Sequence, residues 1–475
     1  MVQDRKRGAP GSGEAAERCD GGERPHKGAR TSEKPAPAAA DVYYESDGLQ
    51  RVRPYYHKFA THAKGRWVGR PLLDVLTHEF RDRTAEYYEA AIDRGLIELN
   101  GQRAGRATVV RDNDLLTHHV HRHEPPVSAR GLAVVRETDD GVLVVDKPAS
   151  IPVHPTGRYN YNTVTQMLRL QHGYERVFPA NRLDRLTSGL LLVGLNADVA
   201  RRLERNLREH AIQKEYVCRV VGDFPRAHVV CDEPIRVVAH KLGLNCVDRE
   251  AGKPSLTEFD WLCGDGEHSI VYCRPRTGRT HQIRVHLQFL GHPIANDPLY
   301  NNPEVWGPQA GKGGALPDMP QPSGNSADTT TTHDAPAIAA SVDAQTETTP
   351  LPPPPSRPRK MVGARDDDKR NDAWRHLVER MADWKDRQNL AEHACAAAAA
   401  AASATAAAAA EEGSGSAECA VCAAPAMPDP APSDLCIWLH AWRYSGPGWS
   451  HETPLPGWAQ DAAAHIDRVK YHAPE

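Results

Sequence analysis

Large apolar side chains cluster between residues 41 and 306 and return after residue 435. Leu72, Leu73, Val75, Leu76 and Phe80 recur near helical spacing, as do Tyr87, Tyr88, Ala91 and Ile92 before the Arg94-Gly95 stop. That pattern predicts two short helices. Leu96 to Asn100 then alternates into an Asn100-Gly101 turn, a hairpin signal. From Arg130 to Trp306 the runs Val134-Val135, Val142 to Val145, Gly189 to Leu195 and Tyr216 to Val221 have strand length and are separated by Pro and Gly turns. One helix is well marked, from about Ala197 to His210. It sets Ala200, Leu203 and Leu207 on a packing stripe and Arg201, Arg205 and Arg208 on a cationic one. The expected fold class is α+β.

Composition changes the picture outside these stretches. With 38 Pro, 36 Gly and only 40% hydrophobic residues among 475, much of the chain must lie outside a packed core. Residues 1–40 are read as a disordered arm and 307–434 as a low-complexity insertion. Within that insertion Trp374, Leu377, Val378, Met381 and Trp384 fall at helical spacing, so one amphipathic helix is expected there, able to dock on the main body. The Leu435 to His440 run has no strand partner nearby and is expected to return to the sheet and close it. The resulting plan is an arm (1–40), a small α/β module (41–128), a catalytic domain (129–306), the insertion (307–434), a returning segment (435–460) and a tail (461–475). A net charge of -4 excludes an indiscriminate polyanion binder, so any nucleic-acid site must be a local patch. The tract Ala396 to Ala410 is only weakly apolar and is broken by Ser403 and Thr405, and no membrane role is expected. The ten Cys are read as reduced thiols of a soluble, intracellular monomer, in cytoplasm or nucleus ahead of mitochondrion.

The most informative stretch is Asn181-Arg182-Leu183-Asp184-Arg185-Leu186-Thr187-Ser188-Gly189, a carboxylate between two arginines on a turn before a buried strand. Such an aspartate stays ionised; alone it fits a nucleophile, an ion-pair partner or a plain surface pair equally well. The histidines at 118, 119, 121 and 123 lack the pairing of a zinc site, Cys419 and Cys422 form a lone C-x-x-C, and no metal is expected.

Further segments agree with one family. Val144-Val145-Asp146-Lys147-Pro148, Lys214-Glu215-Tyr216-Val217 and Thr277-Gly278-Arg279-Thr280-His281-Gln282-Ile283-Arg284-Val285-His286, with the Asp184 stretch and Gly291-His292-Pro293-Ile294, resemble a pseudouridine synthase of the RluA type. Ala295-Asn296-Asp297-Pro298-Leu299-Tyr300 and the run from Leu439 to Trp449 are similar to the eukaryotic members that modify tRNA or mRNA. The 41–128 module resembles a small RNA-binding fold first seen in a ribosomal protein. The resemblance implies conversion of uridine in RNA to its C-glycoside isomer without a cofactor, tRNA being the favoured substrate, in the anticodon arm, and mRNA the second. It implies that Asp184 is the essential carboxylate, that Tyr216 lies against the base and accepts the C5 proton, and that Arg284 holds Asp184 charged. Arg182 and Lys214 would support by electrostatics or phosphate contact, and Arg201, Arg205 and Arg208 become an RNA-backbone contact as well as a solvated helix face. The family usually has His where this chain has Asn181, which keeps a donor and an acceptor but cannot become cationic. A catalytically impaired RNA-binding protein or chaperone is the alternative that this substitution raises.

Overall fold

The computed structural model describes residues 37–80, 85–240, 242–309, 311–314, 372–385, 387 and 429–470, with side chains through residue 466. The Ala396 to Ala410 tract, the Cys419 and Cys422 pair, nearly all of the 1–40 arm and most of 307–434 lie outside the described residues.

A ten-stranded sheet organises the main body. Its path runs Val229–Cys231, Thr257–Gly264, His268–Pro275, Gln213–Val221, Leu439–Gly446, Ser188–Gly194, Val142–Lys147 and Ala133–Glu137, with Phe178–Pro179 and Trp449–Glu452 attached off the path. Neighbours are antiparallel except Ser188–Gly194 with Leu439–Gly446, which run parallel. Val142–Lys147 and Ser188–Gly194 are buried at every position, which is why they read as unbroken apolar runs. The returning strand lies inside the sheet and does not close its edge. It fits because Gly189, at φ 107°, has no side chain: a Cβ there would meet the Ala441 carbonyl oxygen at 2.1 Å.

The 41–128 segment feeds two cores. Tyr55–His62, Leu115–Arg122, Ile97–Leu99 and Gln102–Arg103 form a four-stranded sheet, and the helices Leu72–Glu79 and Ala85–Asp93 pack beside it around Trp67, Leu76, Tyr88 and Ile97. Tyr43–Ser46, Leu49–Val52 and Val127–Ser128 form a separate three-stranded sheet, and Val42, Tyr43, Val52 and Val127 join the main core.

The helix Ala197–Arg208 is present, capped by the Asn196 side chain on the backbone N–H groups of Asp198 and Val199. The sequence did not announce Gln282–Leu290. There Ile283, Val285 and Leu287 alternate with polar residues as in a strand, yet the segment is helical and buried from Gln282 to Gln288. Its polar side chains are accommodated by partners: Gln282 donates to Thr257 and to the Leu256 carbonyl, His286 bonds Thr257 and the Glu233 carbonyl, and Gln288 donates to the Tyr300 carbonyl. The helix at 372–385 inserts Ala373, Trp374, Leu377 and Met381 into a second core with Val285, Leu299, Tyr300, Val305 and Trp306. Among the described residues no helix is long and apolar enough to cross a membrane.

Candidate active site

Asp184 sits on the turn leading into Ser188–Gly194, closed by a hydrogen bond from the Thr187 N–H to the Asp184 carbonyl at 3.1 Å. Two neighbours pin this turn. Lys147 is fully buried and donates Nζ to the carbonyls of Pro148 and Ile151 at 2.9 Å each and of Arg185 at 3.2 Å. Burial pushes its ammonium down to about 7. From the other side the Ile437 N–H donates to the Leu186 carbonyl at 3.0 Å.

Arg284 projects from the first turn of Gln282–Leu290 and meets two carboxylates. Nη1 donates to Asp184 Oδ2 at 2.9 Å, while Nε and Nη2 clamp Asp297 at 2.6 and 2.9 Å. Asp297 is fully buried, and its Oδ1 also accepts the Leu299 and Tyr300 N–H groups. Burial works against the Arg284 charge, but Asp297 and Asp184 outweigh it and hold the guanidinium firmly cationic. The guanidinium also lies 4.9 Å from the centre of the Tyr300 ring.

His281 precedes that helix in the left-handed region, at φ 58°, an uncommon conformation that brings its ring between Tyr300 and Asp184. Tyr300 Oη accepts the Asn245 backbone N–H at 3.2 Å and lies 2.8 Å from His281 Nδ1, to which it donates. Burial, reinforced by Arg284, pushes the imidazole down to about 4. With Nδ1 assigned as the acceptor of the Tyr300 hydroxyl, the neutral ring carries its proton on Nε2, which lies 3.6 Å from Asp184 Oδ2. At Asp184 burial raises the carboxyl, and the charges of Arg284, Lys147 and any protonated His281 outweigh it, leaving it below the ordinary carboxylate range. Both contacts fall on Oδ2, so among the described residues Oδ1 is left for a ligand.

The second half of the site is a pair of phenols. Tyr216 Oη is 2.9 Å from Tyr444 Oη, and Asn181 Nδ2 donates to Tyr444 Oη at 3.3 Å. Burial, then Tyr444, pushes Tyr216 well above the usual tyrosine range, and burial carries Tyr444 to about 12. The two tyrosines share a face because Tyr444 pairs Lys214, two residues from Tyr216 on the same strand; between them the ladder slips, Glu215 pairing Arg443 and Tyr216 pairing Ala441, which leaves Trp442 as the bulged residue. Asn181 thus acts through hydrogen bonding, although its Oδ1 is buried without a partner among the described residues.

A cavity of about 950 Å³ is lined by Asp184, Tyr216, Arg284, Arg182, Lys214 and His281. That is the upper end of the ~300–1,000 Å³ range of ligand pockets, room enough for an extruded nucleotide. Arg201, Arg205 and Arg208 do not line it: they are exposed on Ala197–Arg208, with Arg201 paired to Asp198 at 2.6 Å. Sequence reasoning gave no role to Asp297, Tyr444, His281 or Lys147, although each stands in a family-like motif. It missed the cavity contacts of Trp384 and Lys385 altogether, since a helical periodicity says which face packs but not against what.

Comparison with known proteins identifies the family. Residues 141–289 match the family described as RNA pseudouridylate synthase. The human pseudouridylate synthase RPUSD2 is 42% identical over 431 residues, covering 89% of this chain and 76% of the human protein. The mitochondrial tRNA pseudouridine(32) synthase of Saccharomyces cerevisiae is 49% identical over 269 residues, 56% of this chain and 58% of the yeast one. The tRNA pseudouridine(31) synthase of the same yeast is 35% identical over 298 residues, 54% of this chain and 73% of that protein. At that identity and coverage the chain belongs to the RNA pseudouridylate synthase family and is an RNA-isomerising enzyme.

Proposed function

We propose that the enzyme converts a uridine of tRNA, in the anticodon arm, to pseudouridine, with Asp184, Arg284 and Tyr216 at the reacting centre. The observation that carries this reading is the ionised Asp184 carboxylate, gripped through Oδ2 by Arg284 and open at Oδ1 to a nucleotide-sized cavity. The names of the two yeast relatives support tRNA as the substrate.

The chemistry is an internal exchange: the N1–C1′ bond breaks, a C5–C1′ bond forms, C5 loses a proton and N1 gains one. Attack at C1′ and removal of the 2′ proton both need an ionised oxygen, and Asp184 supplies it. Arg284 keeps that oxygen charged and aimed. Tyr216 lies against the base and takes the C5 proton as its own hydroxyl proton passes to solvent, N1 taking one up in exchange; burial keeps the phenol protonated at rest and Tyr444 steadies it. Lys214 and Arg182 attract the flanking phosphates, and Arg201, Arg205 and Arg208 extend this contact over the outer surface. The uridine must leave its stack to reach Asp184.

Tritium release from C5-labelled uridine in bulk tRNA transcripts tests the reading. The intact chain is expected to release tritium and the Asp184→Ala chain none. Release from mRNA pools with none from tRNA would overturn the substrate assignment, and undiminished release by Asp184→Ala would overturn the role of the carboxylate.

A further inference from the structure

The helix at 372–385 packs with almost no slack, Leu377 and Met381 being fully buried, so its last turn is held in a defined place. That place is the cavity of Asp184: Trp384 and Lys385 line it together with Leu242 and Leu299. Lys385 Nζ donates to the Leu242 carbonyl at 2.6 Å, which aims the ammonium without neutralising it. Among the described residues no carboxylate lies within ion-pair distance of Lys385, and its field is felt by His281. Burial, reinforced by Arg284, pushes its pKa down, and burial does the same to Lys214 in the same cavity. A partly buried cation with no anion beside it is costly unless an anion arrives. Trp384 takes part in no ring–ring contact among the described residues, and its indole is only partly buried. A cation and a partly exposed indole lining one cavity are the combination that grips unpaired nucleotides, phosphate on one and base on the other.

We propose that the end of the 372–385 helix is a wall of the RNA cleft, where Lys385 binds a phosphodiester and Trp384 stacks on an unpaired base flanking the target uridine. The inference rests on RNA being the substrate and assigns a binding role to a helix supplied by the insertion. It makes these two residues determinants of which single-stranded context is accepted.

Equilibrium binding of a tRNA transcript to the intact chain, its salt dependence and single-turnover tritium release test it. Lys385→Gln is expected to weaken binding roughly 5–10-fold, to raise KM more than it lowers kcat, and to reduce the slope of log K against log salt by about 0.7–0.9, the share of one phosphate. Lys385→Arg should recover the slope and most of the affinity. Trp384→Ala should weaken binding roughly tenfold and Trp384→Phe should restore most of it. Unchanged affinity and slope in Lys385→Gln would overturn the proposal, as would an Arg variant that behaves like Gln, since the lysine would then serve only the Leu242 carbonyl. Photocrosslinking of a 4-thiouridine transcript to the wild-type chain should map to 372–385, and crosslinks found only elsewhere would overturn it without any variant. A wild-type chain that binds with the expected slope but releases no tritium would sink the isomerase reading and leave this wall standing.

Discussion

The two sides of the cavity are built on different principles. On the carboxylate side, Asp184 is tied through Arg284 to a fully buried Asp297 whose own oxygens take backbone N–H groups, and the surrounding turn is pinned by Lys147 and by Ile437. On the phenol side, Tyr216 is steadied by one hydroxyl of Tyr444, which leans on Asn181 at 3.3 Å. A buried charge tolerates no error in its partners, whereas neutral hydrogen bonds can be exchanged at small cost. This chain keeps the family-like residues at Asp184 and Arg284, and at Asn181, where the resemblance expects imidazole, an amide donates to the Tyr444 hydroxyl.

Breaking the charged side should give the largest effect. Asp184→Ala should lower single-turnover tritium release at least ~10³-fold while leaving RNA affinity nearly intact. Asp297→Ala attacks the same side from behind: it strands a buried guanidinium, so urea unfolding should show a loss of about 3–5 kcal/mol, with Asp297→Asn milder. A fully stable Asp297→Ala chain would show that Arg284 does not depend on its buried clamp.

The phenol side should yield by smaller steps. Tyr444→Phe removes the hydroxyl that pairs with Tyr216 and should lower kcat roughly tenfold with KM unchanged. Asn181→His should change kcat by less than about threefold, since a ring nitrogen can replace the amide at Tyr444; a larger gain would mean that charge at this position contributes.

Acid sharpens the comparison at the seam between the sides. His440 is buried between Ser188 and Thr453, and burial pushes it down to about 3. Between that value and the ordinary ~6.5 the unfolded chain binds a proton that the folded chain refuses, so its stabilising contribution is whole above pH ~6.5 and is lost as pH falls. Urea titrations at pH 6.5 and 4.5 should differ by about 2–3 kcal/mol from this residue, and His440→Gln should shrink the difference.

What the sequence revealed follows the same division. Unbroken runs such as Val142 to Val145 and Gly189 to Leu195 were legible as strands because both faces are buried, and Asp184, Tyr216 and Arg284 were legible because their motifs are long. The helix carrying Arg284 was not, because Gln282, His286 and Gln288 are buried by partners from distant loops, so polar character no longer marks the solvent side. Asp297 and Tyr444 were hidden for a related reason: their importance lies in what they touch, 13 and 228 positions away. The arginine stripe was read correctly as a helix face, but periodicity does not locate a face relative to a cavity, and it lies outside this one.

The strand Leu439–Gly446 stands between the strand that follows Asp184 and the strand that bears Tyr216. Ser188 meets His440 across 252 positions of chain. During synthesis both sides of the cavity emerge long before the strand that joins them, so a nascent chain released before that point holds every motif residue from Asp184 to Arg284 and no continuous sheet between them. Closing so long an excursion costs little extra entropy, since the penalty grows only with the logarithm of length. The late strand is thus a linchpin: a continuous sheet beneath the cavity is withheld until translation has passed Gly446.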